Sequence, residues 1–96
     1  MCKCNQKETC CKMQKEGLRM AIEGLKKAHL PDSILELLTA TRNLLQTYTC
    51  LPSSCLINRI NKVYDSITPG CFRSLDNTER ILVDMLIAEL TVLLDN

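Results

Sequence analysis

Three prolines divide the chain into four segments, and each segment has the apolar spacing of a helix. Pro31, Pro52 and Pro69 interrupt helical patterns, because proline lacks a backbone N–H and disfavours the α conformation in the residue before it. Within each segment apolar residues recur three and four positions apart, which is the helical period. The connectors are short, and short connectors join antiparallel neighbours. The sequence therefore predicts an all-α fold, either a four-helix bundle or paired helical hairpins, as a small single domain.

The first segment, residues 13–29, predicts a helix with an apolar face and a line of small residues. Leu18, Ile22 and Leu25 recur at helical spacing on its buried side. The small residues would let another helix approach closely, although each glycine weakens a helix by about 1 kcal/mol. They are Gly17, Ala21, Gly24 and Ala28.

Capping residues and turns mark where the remaining helices begin. Asp32 or Ser33 is expected to cap the second helix. Asp76 and Glu79 have the spacing of a capping box, which predicts the start of a fourth helix over about 78–94. Pro69 followed by Gly70 predicts a type II turn before it. The third helix is expected to open at Ser53 or Ser54.

Two further apolar stripes are expected to face the core. The stripe of the second helix is Ile34, Leu37, Leu38, Thr41, Leu44, Leu45 and Tyr48. The stripe of the third helix is Leu56, Ile60, Val63, Tyr64 and Ile67.

The last segment is apolar around almost its whole circumference. In "ILVDMLIAELTVLL" the polar residues are Asp84, Glu89 and Thr91. A helix that is apolar all round normally lies at the centre of a core or in a subunit interface. No helix of a four-helix protein is fully surrounded, so we expect self-association through this helix; the alternative is a monomer in which the other three helices wrap it. The expected interface residues are Ile81, Leu82, Met85, Leu86, Leu90 and Leu93.

A cysteine-rich leader, residues 1–11, precedes a helical domain that spans residues 12–96. Four thiolates can hold a zinc ion in a tetrahedral site, and the lysines among them favour the thiolate form. Zinc is therefore the cofactor that the sequence favours, although soft sulfur ligands also suit copper(I). The alternatives are a lipid-modified basic terminus and reduced cysteines that pack as small hydrophobic residues. The candidate metal ligands are Cys2, Cys4, Cys10 and Cys11.

The cysteine content and the apolar pattern point to the cytoplasm. The sequence contains no run of 18 apolar residues that could cross a membrane, and its first residues do not resemble a signal peptide. The chain has seven cysteines, an odd number that would leave at least one unpaired. A reducing, cytoplasmic compartment is expected, and membrane association is not.

Neither catalysis nor nucleic-acid binding is expected from the residues present. The sequence has no glycine-rich phosphate loop, nucleophile elbow or metal-binding His-carboxylate motif. His29 is the single histidine and is expected in the last turn of the first helix, where it would interact with the helix dipole. A net charge of +1 is far below that of a dedicated nucleic-acid binder. The connector with Pro52 also fits a helix-turn-helix poorly, although Arg59 and Lys62 lie on an outer helix face.

Two further groups of residues are candidate binding sites. Phe72 and Arg73 stand side by side in the loop before the last helix, and aromatic residues with arginine are typical of interface hot spots. In the alternative, Phe72 closes the end of the bundle and Arg73 is solvated. In the first helix, the cations that could hold an anionic ligand are Lys15, Arg19 and Lys26.

These features together predict a small non-enzymatic binding or regulatory protein. It would act as an inhibitor, adaptor or accessory factor, through protein–protein contacts and as a homo-oligomer. A second hypothesis is a zinc-binding protein that works through the four leader cysteines. A third is a protein that sequesters a small anionic ligand in a pocket between subunits.

Overall fold

A computed structural model describes three stretches of the chain, residues 7–47, 54–70 and 73–95. These described residues form four α-helices. The helices are α1 (Lys7–Lys27), α2 (Pro31–Thr47), α3 (Ser54–Ser66) and α4 (Asn77–Asp95). Helices α1 and α3 each pack against both α2 and α4, so the helices follow the order α1, α2, α3, α4 around the bundle. The described residues contain no strand, and the all-α prediction is confirmed as a four-helix bundle.

Aliphatic side chains from all four helices fill the space between them. The predicted apolar face of α1 is confirmed, because Leu18, Ile22 and Leu25 are almost completely buried. The other buried residues of this core are Ile34, Leu35, Leu38, Leu45, Ile60, Val63, Ile67, Val83, Leu86, Ile87, Leu90 and Leu93. Since burial of each such side chain contributes about 1.5–3 kcal/mol, this cluster supplies most of the favourable free energy of folding.

The small residues of α1 bring α2 close, as their spacing predicts. A Cβ atom added at Gly17 would lie 3.0 Å from both δ-carbons of Leu44, and one added at Gly24 would lie 2.9 Å from a δ-carbon of Leu37. The earlier glycine meets the later leucine, so α1 and α2 run antiparallel. Two leucine side chains of α2 therefore occupy the space that side chains at these glycines would fill.

The start of α2 differs from the prediction. The helix begins at Pro31, before the two residues expected to cap it. Proline suits the first helical position because a helix leaves the N–H there without an internal acceptor. The carbonyl oxygen of Leu30 accepts from the N–H of Ile34 at 3.1 Å. The carboxylate of Asp32 instead accepts a hydrogen bond from the backbone N–H of Gly70 at 2.9 Å.

Three other sequence-based expectations need correction. Among the described glycines none has a positive φ, so Gly70 does not form the type II turn. Tyr64 is 37% exposed at the edge of the α3 stripe, where its hydroxyl can stay in water. His29 lies two residues beyond the end of α1 and is exposed. Its backbone carbonyl accepts from the N–H of Leu75, which ties the loop before α4 to the end of α1.

Two further findings concern the predicted leader and the search for a membrane-spanning helix. Helix α1 begins at Lys7, so residues 7–11 of the predicted leader have helical backbone. Within the described ranges, no helix combines the length and the apolar content needed to cross a bilayer.

Candidate functional site

The predicted capping box fixes the first turn of α4. The backbone N–H of Glu79 donates to Oδ1 of Asp76 at 2.8 Å. In return the N–H of Asp76 donates to Oε1 of Glu79 at 3.1 Å. This reciprocal pair satisfies two backbone donors and confirms the sequence-based prediction of how α4 begins.

Glu79 also anchors the loop that leads into α4. Its two carboxylate oxygens each accept from the guanidinium of Arg73 at 2.8 Å, and Oε2 accepts from the N–H of Thr68 at 3.1 Å. The hydrogen bonds from Arg73, helped by the backbone N–H groups of Asp76 and Thr68, outweigh the effect of burial and lower the pKa of Glu79 from 4.5 to about 2. Glu79 is 5% exposed, so a charged and fully hydrogen-bonded carboxylate lies inside the bundle end.

Arg73 therefore has an intramolecular role that the sequence did not reveal. Beyond Glu79, its guanidinium donates to the carbonyl oxygens of Thr68 and Ser74. The hydrogen bond to Glu79 raises the pKa of Arg73. Phe72, its neighbour in the predicted partner-binding pair, lies outside the described residues. A partner contact by these two residues stays a prediction.

Arg80 ties α4 to the end of α1. Its guanidinium donates to the carbonyl oxygens of Ala28 at 3.2 Å and Leu25 at 3.3 Å, which lie at the C-terminal end of α1. It also pairs with Asp84 at 2.7 Å. A cation at a helix C-terminus is favourable because the unpaired carbonyls there carry partial negative charge. Helix α4 is thus held at its start by both the loop and α1.

The outward side of α4 carries a line of apolar side chains in water. Ile81 is 58% exposed, Met85 53% and Val92 62%. Ala88 is exposed between them. The intervals of four, three and four residues place all four on one face of the helix. We call these four residues the α4 stripe.

The structure divides the six predicted interface residues into two groups. Ile81 and Met85 belong to the α4 stripe, and Leu82 is half-buried at its edge. The prediction is corrected for the other three, because they face the core of a single chain, where they are at most 6% exposed: Leu86, Leu90 and Leu93. Ala88 and Val92 also belong to the α4 stripe and were not among the predicted interface residues, although their spacing from Ile81 and Met85 was visible in the sequence.

A groove runs along each side of the α4 stripe. The groove between α3 and α4 encloses about 150 Å³, and its floor is apolar. Arg59 and Glu89 close its rim with a 2.7 Å ion pair. The lining residues are Arg59, Lys62, Val63, Leu82, Met85, Leu86 and Glu89.

The groove between α1 and α4 contains two of the three cations predicted to bind an anion. Arg19 and Lys26 line it, and Lys15 does not. Glu23 and Asp95 line the same groove, and Glu23 lies 3.8 Å from the ammonium of Lys26. These carboxylates offset the positive charge, so this arrangement favours a mixed polar contact over capture of a small anion.

The four predicted zinc ligands lie beyond what the structure describes in side-chain detail. Cys2 and Cys4 are outside the described residues, and Cys10 and Cys11 are described only as helical backbone of α1. In the described part of the chain, no three His, Cys, Asp or Glu residues are grouped so that they could hold a metal ion. The zinc hypothesis stays a prediction that rests on the sequence.

Some polar side chains on the outer face of α3 make contacts with the neighbouring helices of the same chain. Arg59 pairs with Glu89, and the side-chain oxygen of Asn61 accepts from Arg42 at 2.9 Å. Lys62 is exposed at the groove rim. These contacts give the polar residues of α3 a role in holding α2 and α4.

Comparisons of the chain with protein-family models, curated proteins and solved structures gave no significant match.

Proposed function

We propose that the protein is a small non-enzymatic binding module that works as a homo-oligomer through the outer face of α4. The exposed line of Ile81, Met85 and Val92 carries this proposal. Single exposed apolar residues are ordinary on protein surfaces, whereas a contiguous apolar patch marks an interaction site. A module of this kind suits an inhibitor, an adaptor or an accessory factor, because each acts by occupying a surface.

The way α4 is held supports this role. Its first turn is fixed by Asp76 and Glu79, and Arg80 joins it to α1. A surface on a rigid helix loses little conformational entropy when it binds, which favours affinity. The stripe also has grooves on both sides, into which the side chains of a partner could fit.

The charges around the stripe favour a protein partner over nucleic acid. The exposed or half-exposed ionised groups of α4 beside the stripe include the carboxylates of Asp84, Glu89 and Asp95. Nucleic-acid binding relies on cations that neutralise phosphates, and carboxylates that flank a surface repel phosphates.

A charge placed in the stripe tests the proposal. In size-exclusion chromatography with light scattering, we expect the wild type to exceed the 10.9 kDa of one chain. Met85→Glu should return the mass to that of one chain, because burying the carboxylate in an interface is costly. Ala40→Glu is the matched control, since Ala40 is an exposed alanine of α2, on the far side of the bundle. A wild type that stays at one chain mass at millimolar concentration would refute self-association.

We extend the proposal to a reducing, cytoplasmic setting. The chain has seven cysteines, and Cys55 at the start of α3 is a free, exposed thiol. Exposed free thiols persist where glutathione keeps cysteines reduced. Lysis of producing cells directly into denaturant, chelator and excess alkylating agent, followed by intact-mass measurement, should add seven alkyl groups. A product with fewer groups would show disulfide pairing and would contradict this extension.

A further inference from the structure

We propose that a second copy of this chain covers the α4 stripe, with the two α4 helices antiparallel about a two-fold axis between Met85 and Ala88. The inference rests on the proposed self-association and adds the orientation and the residue pairs of the contact. In this arrangement Ile81 packs against Val92 of the partner subunit. Met85 packs against the partner's Ala88, whose small side chain leaves room for it.

The spacing of the stripe fits a helix pair of this kind. Intervals of four, three and four residues are those of the two core positions of a coiled coil, which repeat every 3.5 residues. The intervals are the same when the helix is followed in either direction. A two-fold axis requires one surface to complement itself, and this series meets that requirement.

The length of α4 fits the same axis. Helix α4 spans Asn77–Asp95, so its middle residue is Leu86 and lies next to the centre of the stripe. Antiparallel packing about that centre overlaps the two helices along their full length. The carboxylate of Asp95 then lies near Thr78 of the partner subunit, at the start of the partner helix. The helix dipole gives the start of that helix a partial positive charge, which attracts an anion.

Charge decides between the antiparallel and the parallel arrangement. Residues that flank the core positions of a helix pair set its orientation. A parallel pair would place Asp84 beside Glu89 of the partner subunit on both sides of the seam, and these like charges repel. The antiparallel pair places Asp84 beside the partner's Thr91 and places Leu82 beside the partner's Glu89. It therefore avoids all contacts between carboxylates.

Charge complementarity at the rim comes from the α3 side. Helix α4 carries four acidic residues and one basic residue, which give it a charge of −3. In the groove between α3 and α4, two cations, Arg59 and Lys62, stand against one carboxylate, that of Glu89. In the groove between α1 and α4 the cations are matched by carboxylates, Arg19 and Lys26 by Glu23 and Asp95. The acidic helix of the partner subunit therefore meets one border with a net positive charge and one border that is neutral. A stable interface needs roughly 800 Å² from each partner, so these borders have to take part with the stripe.

Substitutions at Thr91 test the orientation without altering the stripe. Thr91 is exposed, and in the antiparallel pair it faces Asp84 of the partner subunit. Sedimentation equilibrium at low salt should show Thr91→Lys dimerising about threefold more tightly than the wild type, and Thr91→Glu about threefold more weakly. Two exposed pairs of charges contribute an effect of this size. In a parallel pair residue 91 would face the chain end, so equal affinities for both variants would overturn the antiparallel arrangement.

Photo-crosslinking gives an independent second measurement. Benzoylphenylalanine replaces Ile81. Chains that carry this photo-crosslinker are mixed with ¹⁵N-labelled wild type before irradiation. Fragment mass spectra should place the intermolecular crosslink within residues 88–95 of the ¹⁵N chain. A crosslink within 77–85 would overturn the antiparallel orientation and leave self-association intact. If the wild type itself is monomeric by sedimentation, the proposed function and this inference both fail.

Discussion

At the scale of single residues, the side chain of Glu79 joins the first turn of α4 to the loop that leads into it. Its carboxylate accepts hydrogen bonds from the backbone N–H of Asp76, from the two terminal nitrogens of the Arg73 guanidinium and from the backbone N–H of Thr68. Hydrogen bonds to charged groups contribute roughly 1.5–3 kcal/mol each, more than those between neutral groups. The start of α4 therefore depends on one ionised carboxylate.

The ionised state of Glu79 predicts a specific acid sensitivity. Because its pKa is lowered from 4.5 to about 2 in the folded protein, Glu79 stabilises the fold fully above pH 4.5. That contribution decreases as the pH falls from 4.5 and is lost near pH 2. Glu79→Gln should lower the free energy of unfolding by about 2 kcal/mol at pH 7. Urea denaturation at several pH values should show that the free energy of unfolding decreases less between pH 4.5 and 2.5 in the variant than in the wild type.

Asp84→Asn provides the control for that experiment. Asp84 pairs with Arg80 on the surface, where an ion pair contributes at most about 1 kcal/mol. This variant should keep nearly the whole acid sensitivity of the wild type. Identical pH profiles for Glu79→Gln and the wild type would show that Glu79 is not the group that titrates.

The same site shows how far residue-level prediction from the sequence reaches. The capping box was predictable, because Asp76 and Glu79 are three positions apart and their contact depends on local geometry alone. The pairing of Arg73 with Glu79 was not, because it requires the loop to fold back over the helix start. The contact between Asp32 and Gly70 joins residues 38 positions apart and has no local pattern at all.

At the scale of helices, the contact between α1 and α2 depends on two glycines that tolerate little extra volume. Gly24→Leu should lower the free energy of unfolding by about 1–3 kcal/mol, because the new side chain occupies the space of Leu37. Gly24→Ala is the matched control. Its methyl group displaces only the end of Leu37, and alanine favours a helix by about 1 kcal/mol. Urea denaturation that finds Gly24→Leu as stable as the wild type would contradict this packing.

The apolar character of α4 was evident from its sequence, but its division into two faces was not. Leu90 and Val92 are similarly apolar, yet Leu90 is fully buried and Val92 is 62% exposed. Which face lies inward depends on where α1 and α3 pack, and a helix with little amphipathic contrast does not specify that. The four-helix arrangement itself was predictable, because the breaks at proline and the helical period are local signals.

At the scale of the whole molecule, the burial of one face of α4 and the exposure of its other face both favour the association of two chains. The core places α4 between α1 and α3, and within the described residues no further helix covers its remaining face. A chain of 96 residues buries only about 60–65% of its unfolded surface and gains little stability to spare. Association of two such faces would remove apolar surface from water and stabilise both folded chains.

This coupling predicts that thermal stability rises with protein concentration. Above the dissociation constant, a tenfold increase in concentration stabilises a dimer by about 1.4 kcal/mol, or about 0.7 kcal/mol per chain. For a domain of this size that corresponds to an increase in Tm of roughly 3–5 °C. Scanning calorimetry from 10 µM to 1 mM covers two tenfold steps and should show about twice this increase, roughly 6–10 °C, for the wild type and for Ala40→Glu. Met85→Glu should have the same Tm at every concentration, because its folded state is a single chain. A wild-type Tm that does not change with concentration would show that association adds nothing to the stability of the fold.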